Sequence, residues 1–140
     1  MTNKNKIIIY TDGGARGNPG PAAIGVSFPD LEKHYGEEIG VTTNNVAEYT
    51  AIIFALKKAR QLLGSATCKT SVVEIRSDSE LVIKQMNGMY KVKDEDMKPL
   101  FIEVWNLKQD FLEVIFTHIV REKNKVADGL VNRALDARLV

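Results

Sequence analysis

The chain has 140 residues, of which 44% are hydrophobic, and its 19 Lys and Arg residues nearly balance its 18 Asp and Glu residues, which gives a net charge of +1. This length predicts one globular domain, residues 1–140, with enough apolar material for a single core. The single cysteine, Cys68, excludes an internal disulfide and a cysteine-based zinc site, and the near-neutral charge argues neither for nor against a polyanionic partner.

The start of the chain contains only a short apolar run, residues 7–9. Such a run is too short for the core of a signal peptide or for a membrane span. A lone thiol also suits a reducing compartment. We therefore expect a soluble, cytoplasmic protein that does not contact a membrane, and we expect it to be a monomer.

The first half of the chain is predicted to form an antiparallel meander and then a long helix. A β-branched and aromatic run over residues 7–11 predicts a buried strand that ends at Asp12, where a Gly- and Pro-rich loop over residues 13–21 begins. Apolar residues then recur at helical spacing until Gly64. The strands after the loop cover residues 23–28 and 35–41, the helix covers residues 46–63, and residues 42–45 supply its cap.

The second half alternates between strands and helices. A fourth strand over residues 71–76 leads through Asp78 into a short helix over residues 80–86, which Gly88 ends. A helix over residues 94–108, a fifth strand over residues 111–118 and a closing helix over residues 125–139 follow. We expect Trp105 to pack in the core rather than to stack on nucleic acid bases.

This order of elements predicts an α/β fold, in which a five-stranded mixed sheet combines an antiparallel meander with two parallel strands and is flanked by helices. Sites in such sheets collect at the carboxyl ends of the parallel strands. Asp12 ends the first predicted strand and Asp78 follows the fourth, so their carboxylates meet if those strands are neighbours. Glu48 and Asp128 lie in the predicted first turns of two helices that can face the same edge.

Each of these acidic residues also has an ordinary structural explanation. Asp12 precedes a Gly-Gly turn, Glu48 fits a capping box with Asn45, Asp78 lies inside a second capping-box pattern, and Asp128 suits the positive end of its helix. None of these explanations predicts that all four carboxylates converge. Converging carboxylates repel one another unless cations neutralise them, and hard oxygen ligands suit magnesium or manganese. The set therefore predicts a metal site.

Four short segments spread over nearly the whole chain carry recognisable motifs. They are YTDGGARGNPG at residues 10–20, TNNVAE at 43–48, RSDSE at 76–80 and NKVAD at 124–128. In order and spacing, these segments resemble the signature segments of type 1 ribonuclease H, in the form that lacks a basic protrusion. The resemblance implies the ribonuclease H-like fold. It also implies an endonuclease that hydrolyses the RNA strand of RNA–DNA hybrids by two-metal-ion catalysis and leaves 5′-phosphate and 3′-hydroxyl ends.

The resemblance further implies the catalytic residues. The metal ligands would be Asp12, Glu48, Asp78 and Asp128, which would hold two Mg²⁺ ions or Mn²⁺ in their place. His118 lies 10 residues before Asp128, where the family often has a histidine that moves a proton and assists product release. Its spacing from the apolar residues of the fifth strand also fits a strand-end residue without a chemical role.

Contacts with the hybrid are implied at Gly13, Asn18, Asn44 and Asn45, which would reach 2′-hydroxyls and base edges in the minor groove. Glu80 departs from the family, because well-known bacterial members have Gln there, so its assignment as a substrate contact is open. The region between the fourth and fifth predicted strands, which lacks the protrusion, has scattered cations, for which a phosphate-binding stripe and a solvated helix face are both open. These cations are Lys84, Lys91, Lys93 and Lys98.

Other functions fit parts of this sequence, and each meets an objection. A P-loop or dinucleotide-binding loop is excluded, because residues 18–21 cannot begin a helix and the Gly-Lys-Ser/Thr motif is absent. A nucleic-acid-binding protein with a degenerate nuclease fold is a rival, although the complete carboxylate set argues against it. Another nuclease or a transposase-like protein of the wider superfamily is a second rival, against which the Thr-Asn-Asn before Glu48 favours hybrids. Metal preference, cleavage-site bias and cleavage of double-stranded RNA are left open.

Overall fold

A computed structural model describes residues 5–137. Its strands are β1 (Asn5–Ala15), β2 (Gly20–Phe28), β3 (Lys33–Thr42), β4 (Ser71–Ser77) and β5 (Glu113–His118). They form one sheet in the order β3-β2-β1-β4-β5. The β1–β2 and β2–β3 pairs are antiparallel, whereas β1–β4 and β4–β5 are parallel. The predicted mixed sheet is therefore confirmed.

Helices cover both faces of this sheet. They are α1 (Asn44–Leu63), α2 (Ser65–Cys68), α3 (Glu80–Met86), α4 (Lys98–Lys108) and α5 (Lys125–Ala137), with 3₁₀ turns at Pro29–Leu31 and Arg121–Lys123. Residues 138–139, which the sequence predicts to continue α5, lie outside the described residues. Within residues 5–137, none of the helices combines the length and the apolar character needed to cross a bilayer.

The alternation of side chains along β2 shows how the two faces are covered. Ile24 belongs to the main core together with Tyr49 of α1, whereas the preceding residue, Ala23, packs with Val131 and Leu135 of α5. Successive strand residues point to opposite faces of a sheet. Helix α5 therefore lies on the face opposite the main core.

Two glycines allow α5 to approach the sheet closely. A Cβ atom on Gly25 would lie 2.2 Å from the Ala127 carbonyl oxygen, and one on Gly36 would lie 2.7 Å from the Leu130 carbonyl oxygen. Any side chain at either position would push the helix away. The first turn of α5, which contains Asp128, is therefore held against the meander.

Strands β1 and β2 are longer than predicted, and the loop between them covers residues 16–19 rather than 13–21. The expectation that Asp12 ends the first strand was wrong, because the β1–β2 pairing continues from Asp12 to Ala15. Glycine and proline predict a break locally, but the antiparallel partner strand supplies the hydrogen bonds that extend the hairpin. The parallel pairing of β1 with β4 does stop at the pair Thr11 and Ser77. Asp12 is therefore the first residue beyond the parallel ladder.

Helix α4 differs from its prediction in two ways. It begins at Lys98 rather than at residue 94, because Pro99 suits the first turn of a helix and the preceding residues form a turn in which the Asp96 N–H donates to Asp94 Oδ1. Trp105 is 48% exposed, so the expectation of a core residue was wrong. The buried residue of this helix is Val104, one position earlier and therefore on a different side of the helix.

Candidate active site

Three carboxylates meet at the edge of the sheet where the parallel ladder stops. Asp12, Glu48 and Asp78 each offer an oxygen atom, and these atoms all lie within 4.8 Å of one another. Asp12 and Asp78 follow directly after the last parallel pair of β1 and β4. Two neighbouring strands therefore bring two carboxylates together, and α1 supplies the third.

Glu48 reaches this edge because α1 packs closely on β1. The Gly13 N–H donates a hydrogen bond of 3.0 Å to Glu48 Oε1. A Cβ atom on Gly13 would lie 2.3 Å from the Ala47 carbonyl carbon, so only glycine allows this approach. The expectation that Glu48 lies in the first turn of the helix was wrong, because α1 begins at Asn44 and has no acidic residue in its first turn.

The capping boxes that could have explained the acidic residues are not formed. Thr43, rather than Asn45, caps α1, because its Oγ1 accepts a hydrogen bond from the Val46 N–H. The capping-box position is then Val46, and Glu48 is two residues too late for it. Its buried carboxylate, at 9% exposure, faces the site instead.

At α3 the cap is Ser79, whose Oγ accepts from the Val82 N–H, while the Ser77 Oγ accepts from the Ser79 N–H. Asp78 therefore takes no part in capping. Glu80 points to the surface, where its carboxylate lies 3.7 Å from Lys84 Nζ. The structure thus places Glu80 in a surface ion pair and Asp78 in the carboxylate cluster.

Asp128 lies beside the cluster rather than inside it. It lines a cavity of about 300 Å³ together with Asp12 and Glu48, and its Oδ2 accepts a hydrogen bond from Asn132 Nδ2 at 3.4 Å. The negative charge of Asp128 also acts on Asp12. Asp12 is thus the residue that connects the tight cluster with Asp128.

Burial and mutual repulsion strongly affect protonation of the cluster. Burial, followed by the negative charges of Asp78 and Asp128, raises the pKa of Asp12 to about 7. Burial, followed by the charges of Asp12 and Asp78, raises the pKa of Glu48 well above its usual value. The Gly13 N–H and Arg121 partly oppose both shifts. A cation at this position would relieve the repulsion, and carboxylate oxygens are the donors that magnesium and manganese prefer. The residues therefore fit a divalent cation.

Two residues near the carboxylates were not predicted as site residues. Asn124 is 1% exposed, and its Nδ2 donates to the Thr11 carbonyl oxygen at 2.9 Å and to Asp78 Oδ2 at 3.3 Å. Arg121 lines the cavity and lowers the pKa of Asp12. Asn124 does begin one of the four motifs, which is a signal for it, but no local pattern distinguishes Arg121 from a surface cation.

The predicted substrate contacts surround the loop between β1 and β2. Asn18 Oδ1 accepts a hydrogen bond from the Asn44 N–H, and Asn44 Oδ1 accepts one from the Ala15 N–H, each at 2.9 Å. Gly13 and Asn44 line the cavity. Asn45 is partly buried in the first turn of α1 and is not a cavity-lining residue.

His118 ends β5 and is exposed. It pairs in register with Ser77, the residue before Asp78. It does not line the cavity that contains Asp12. Within residues 5–137 the imidazole has no hydrogen-bonding partner, so the structure places it near the end of β4 without a contact that explains it.

The four predicted lysines between β4 and β5 are not equivalent. Lys84 pairs with Glu80, and Lys98 forms an ion pair with Glu95. Lys91 and Lys93 have no ion-pair partner within residues 5–137. Both border a surface cavity of about 380 Å³ next to Leu81, Met89 and Tyr90.

Comparison with known proteins gives one consistent family. A family model described as "Reverse transcriptase-like" matches residues 11–134. "Ribonuclease H" of Dechloromonas aromatica is 33% identical over 153 residues, and the match covers 97% of this chain and 97% of that protein. The chain belongs to the ribonuclease H family.

Solved structures of ribonucleases H show the same fold. LC11-RNase H1 in complex with an RNA/DNA hybrid is 46% identical with a TM-score of 0.87, and the match covers 96% of this chain and 99% of that chain. RNase H1 from the halophilic archaeon Halobacterium salinarum is 36% identical with a TM-score of 0.86, and the match covers 95% and 99%.

Some relatives are longer than this ribonuclease H chain. "Bifunctional protein Rv2228c" of Mycobacterium tuberculosis is 36% identical over 137 residues, which are 94% of this chain but 36% of that protein. "Ribonuclease HI" of Halobacterium salinarum is 38% identical, and the match covers 94% of this chain and 65% of that protein. The chain thus spans from about a third to two thirds of the length of these curated relatives.

Proposed function

We propose that the chain is one catalytic domain, an endonuclease that hydrolyses the RNA strand of RNA–DNA hybrids and leaves 5′-phosphate and 3′-hydroxyl ends. The observation that carries this proposal is the cluster of the buried residues Asp12 and Glu48 with the partly buried Asp78, in which one oxygen atom of each lies within 4.8 Å of the others. Similar proteins also support this proposal. One is named ribonuclease H, and a ribonuclease H1 was solved in complex with an RNA/DNA hybrid.

In this proposal, two Mg²⁺ ions, or Mn²⁺ in their place, are held by Asp12, Glu48, Asp78 and Asp128. Bound divalent cations supply Lewis-acid stabilisation of phosphoryl oxygens and lower the pKa of water. Asp12 would be the central one of the residues that hold the cations. This role is supported by its place between the tight cluster and Asp128, because both Asp78 and Asp128 act on its pKa.

The residues around the carboxylates bind and orient the hybrid. Asn44 lines the cavity, and its bonds to the β1–β2 loop hold Asn18 beside it. We propose that Gly13, Asn18, Asn44 and Asn45 contact the minor groove, where the 2′-hydroxyl distinguishes RNA from DNA. Arg121, a cation on the wall of an acidic cavity, counters the repulsion between the carboxylates and a phosphate group.

His118 moves a proton at the leaving oxygen or assists release of the product. Its support is the position beside the end of β4, one residue before Asp78 in the register, and an imidazole that no hydrogen bond engages within residues 5–137. A positioned proton donor contributes typically about 10²–10⁴-fold to a rate. Lys91 and Lys93 would contact phosphates farther along the hybrid, because within the described residues no carboxylate neutralises them.

A panel of duplexes tests this proposal. An RNA–DNA hybrid, an RNA duplex and a DNA duplex of the same sequence are incubated with the protein in Mg²⁺, with EDTA as the control. We expect cleavage of the RNA strand of the hybrid, an intact DNA duplex and no cleavage in EDTA. Efficient nicking of the DNA duplex would favour another nuclease of the superfamily. Binding of the hybrid without cleavage would favour a binding protein with a degenerate nuclease fold.

A further inference from the structure

Asn124 stands at the junction of the elements that carry the site. Its main chain begins α5, because its carbonyl oxygen accepts from the Asp128 N–H at 3.0 Å and its N–H donates to the Arg121 carbonyl oxygen at 2.9 Å. The residue is fully enclosed, with 1% exposure. Asparagine at the start of a helix commonly caps it through the side-chain oxygen.

The side chain of Asn124 does something else. Its Nδ2 donates to the Thr11 carbonyl oxygen at 2.9 Å and to Asp78 Oδ2 at 3.3 Å. One amide group thereby joins the end of the parallel ladder in β1, the carboxylate after β4, and the start of α5. These three places carry Asp12, Asp78 and Asp128.

The remaining atom of this amide shows that its orientation is constrained. Asn124 Oδ1 is buried and has no hydrogen-bonding partner within residues 5–137. Rotating the amide by 180° would not help, because Oδ1 would then face the Thr11 carbonyl oxygen and the Asp78 carboxylate, which are both acceptors. Buried unsatisfied polar atoms are rare and costly. In this orientation Nδ2 donates to Asp78, and Oδ1 stays unsatisfied among the described residues.

We propose that Asn124 is a positioning residue, which holds the Asp78 carboxylate in place so that Asp78 can bind the divalent cation with Asp12 and Glu48. Without a cation, the charges of Asp12 and Glu48 repel Asp78 and favour its rotation away from the cluster. The hydrogen bond from Asn124 opposes that rotation. Residues that orient metal ligands typically contribute about 10–100-fold to metal affinity or activity when they are removed. This inference rests on the proposed metal site, and it adds a residue outside the carboxylate set.

Manganese binding by the wild-type protein and by Asn124→Ala tests the inference. Free Mn²⁺ is followed by electron paramagnetic resonance, and binding is confirmed by calorimetry. We expect Asn124→Ala to raise the Kd for Mn²⁺ by about 10–100-fold. Hybrid cleavage by this variant should recover as the metal concentration rises, whereas a purely structural defect would not be rescued by metal.

Asn87→Ala is the matched control. Asn87 Nδ2 donates to the Phe116 carbonyl oxygen at 3.0 Å, which is the same kind of side-chain to main-chain bond, at the end of α3 and away from the cluster. Both alanine variants should lose some thermal stability. Only Asn124→Ala should lose affinity for Mn²⁺.

Asn124→Gln tests the positioning role of Asn124 if the alanine variant does not fold. It keeps the amide and the main chain that begins α5, but its longer side chain displaces the donor from Asp78, so its affinity for Mn²⁺ should also fall. If the wild-type protein binds no Mn²⁺, both the proposed metal site and this inference are wrong. If the wild-type protein binds Mn²⁺ and the folded Asn124 variants bind it equally well, this inference alone is wrong.

Discussion

The Gly13 N–H and Glu48 Oε1 form a hydrogen bond of 3.0 Å that fixes α1 against β1 at the carboxylate cluster. It forms because Gly13 has no Cβ atom, which would otherwise lie 2.3 Å from the Ala47 carbonyl carbon. The conformation that brings Glu48 to Asp12 thus depends on one missing methyl group.

Gly13→Ala should therefore destabilise the protein and inactivate it. Overpacking typically costs about 1–3 kcal/mol, and here the obstacle is main chain that cannot move without shifting α1. Urea denaturation of the variant measures this loss. Gly14→Ala is the control, because a Cβ atom there meets only Val131 Cγ1 at an ordinary 3.6 Å. Equal stability of the two variants would show that α1 can move without cost.

The metal-free protein should lose stability as the pH rises from about 4 to about 7. The pKa of Asp12 is raised from 3.8 to about 7 in the folded state. Between these values the folded protein binds more protons than the unfolded chain, so the free energy of unfolding falls as the pH rises. Urea denaturation in EDTA across this range measures the slope.

Asp12→Asn is the control for that experiment. The variant cannot ionise at this position, so its slope should be smaller and its stability near pH 7 should equal or exceed that of the wild-type protein. Mg²⁺ should stabilise the wild-type protein most at high pH, where the carboxylates are ionised. If the free energy of unfolding of the wild-type protein rises with pH over this range, the electrostatic explanation of the cluster is wrong.

Glu74 should show the opposite pH dependence. Burial acts to raise its pKa, but hydrogen bonds from Arg76, Lys6 and Thr117 outweigh burial and lower the pKa from 4.5 to about 2. The stabilisation is thus fully present above about pH 4.5 and is lost as the pH falls through 2. Glu74→Gln should therefore lower the melting temperature at pH 7 and have little effect near pH 2. Hybrid cleavage per folded molecule should not change, because Glu74 lies three residues before the end of β4.

Asn124 and the capping residues show what the sequence could not predict. The strands of the sheet follow from local periodicity, and the closeness of Asp12 and Asp78 follows from a connection rule that makes their strands neighbours. Both were predicted. Asn124, in contrast, bonds to Thr11 across 113 positions of the chain, and no local pattern carries that information. The first turn of α1 fits a cap at Thr43 or at Asn45 equally well, so only the contact with Gly13 decides where Glu48 points.

His118→Ala should slow cleavage without stopping it. Its loss should reduce turnover by about 10²–10⁴-fold if it transfers a proton, and the Kd for Mn²⁺ should stay unchanged. The melting temperature should also stay unchanged, because the imidazole is exposed and has no hydrogen-bonding partner within residues 5–137. Unchanged turnover combined with a lower melting temperature would remove His118 from the active site.

Lys91→Ala and Lys93→Ala together should raise the KM for a long hybrid and leave kcat nearly unchanged. A plot of log KM against log salt concentration should also become shallower, because each lost phosphate contact lowers its slope by about one. Lys98→Ala is the matched control, because Glu95 already neutralises Lys98. If all three lysines contribute equally, the distinction between paired and unpaired lysines is wrong.

The metal-dependent active site is tested most directly by cleavage of one hybrid whose two strands carry different labels. The wild-type protein and Asp12→Asn are compared over a range of Mg²⁺ concentrations. The wild-type protein should cut only the RNA strand, with 5′-phosphate and 3′-hydroxyl ends and a dependence on Mg²⁺. Asp12→Asn should be folded and inactive at every Mg²⁺ concentration. Wild-type turnover by Asp12→Asn, or cleavage by the wild-type protein in EDTA, would contradict the claim that these carboxylates form a metal-dependent active site.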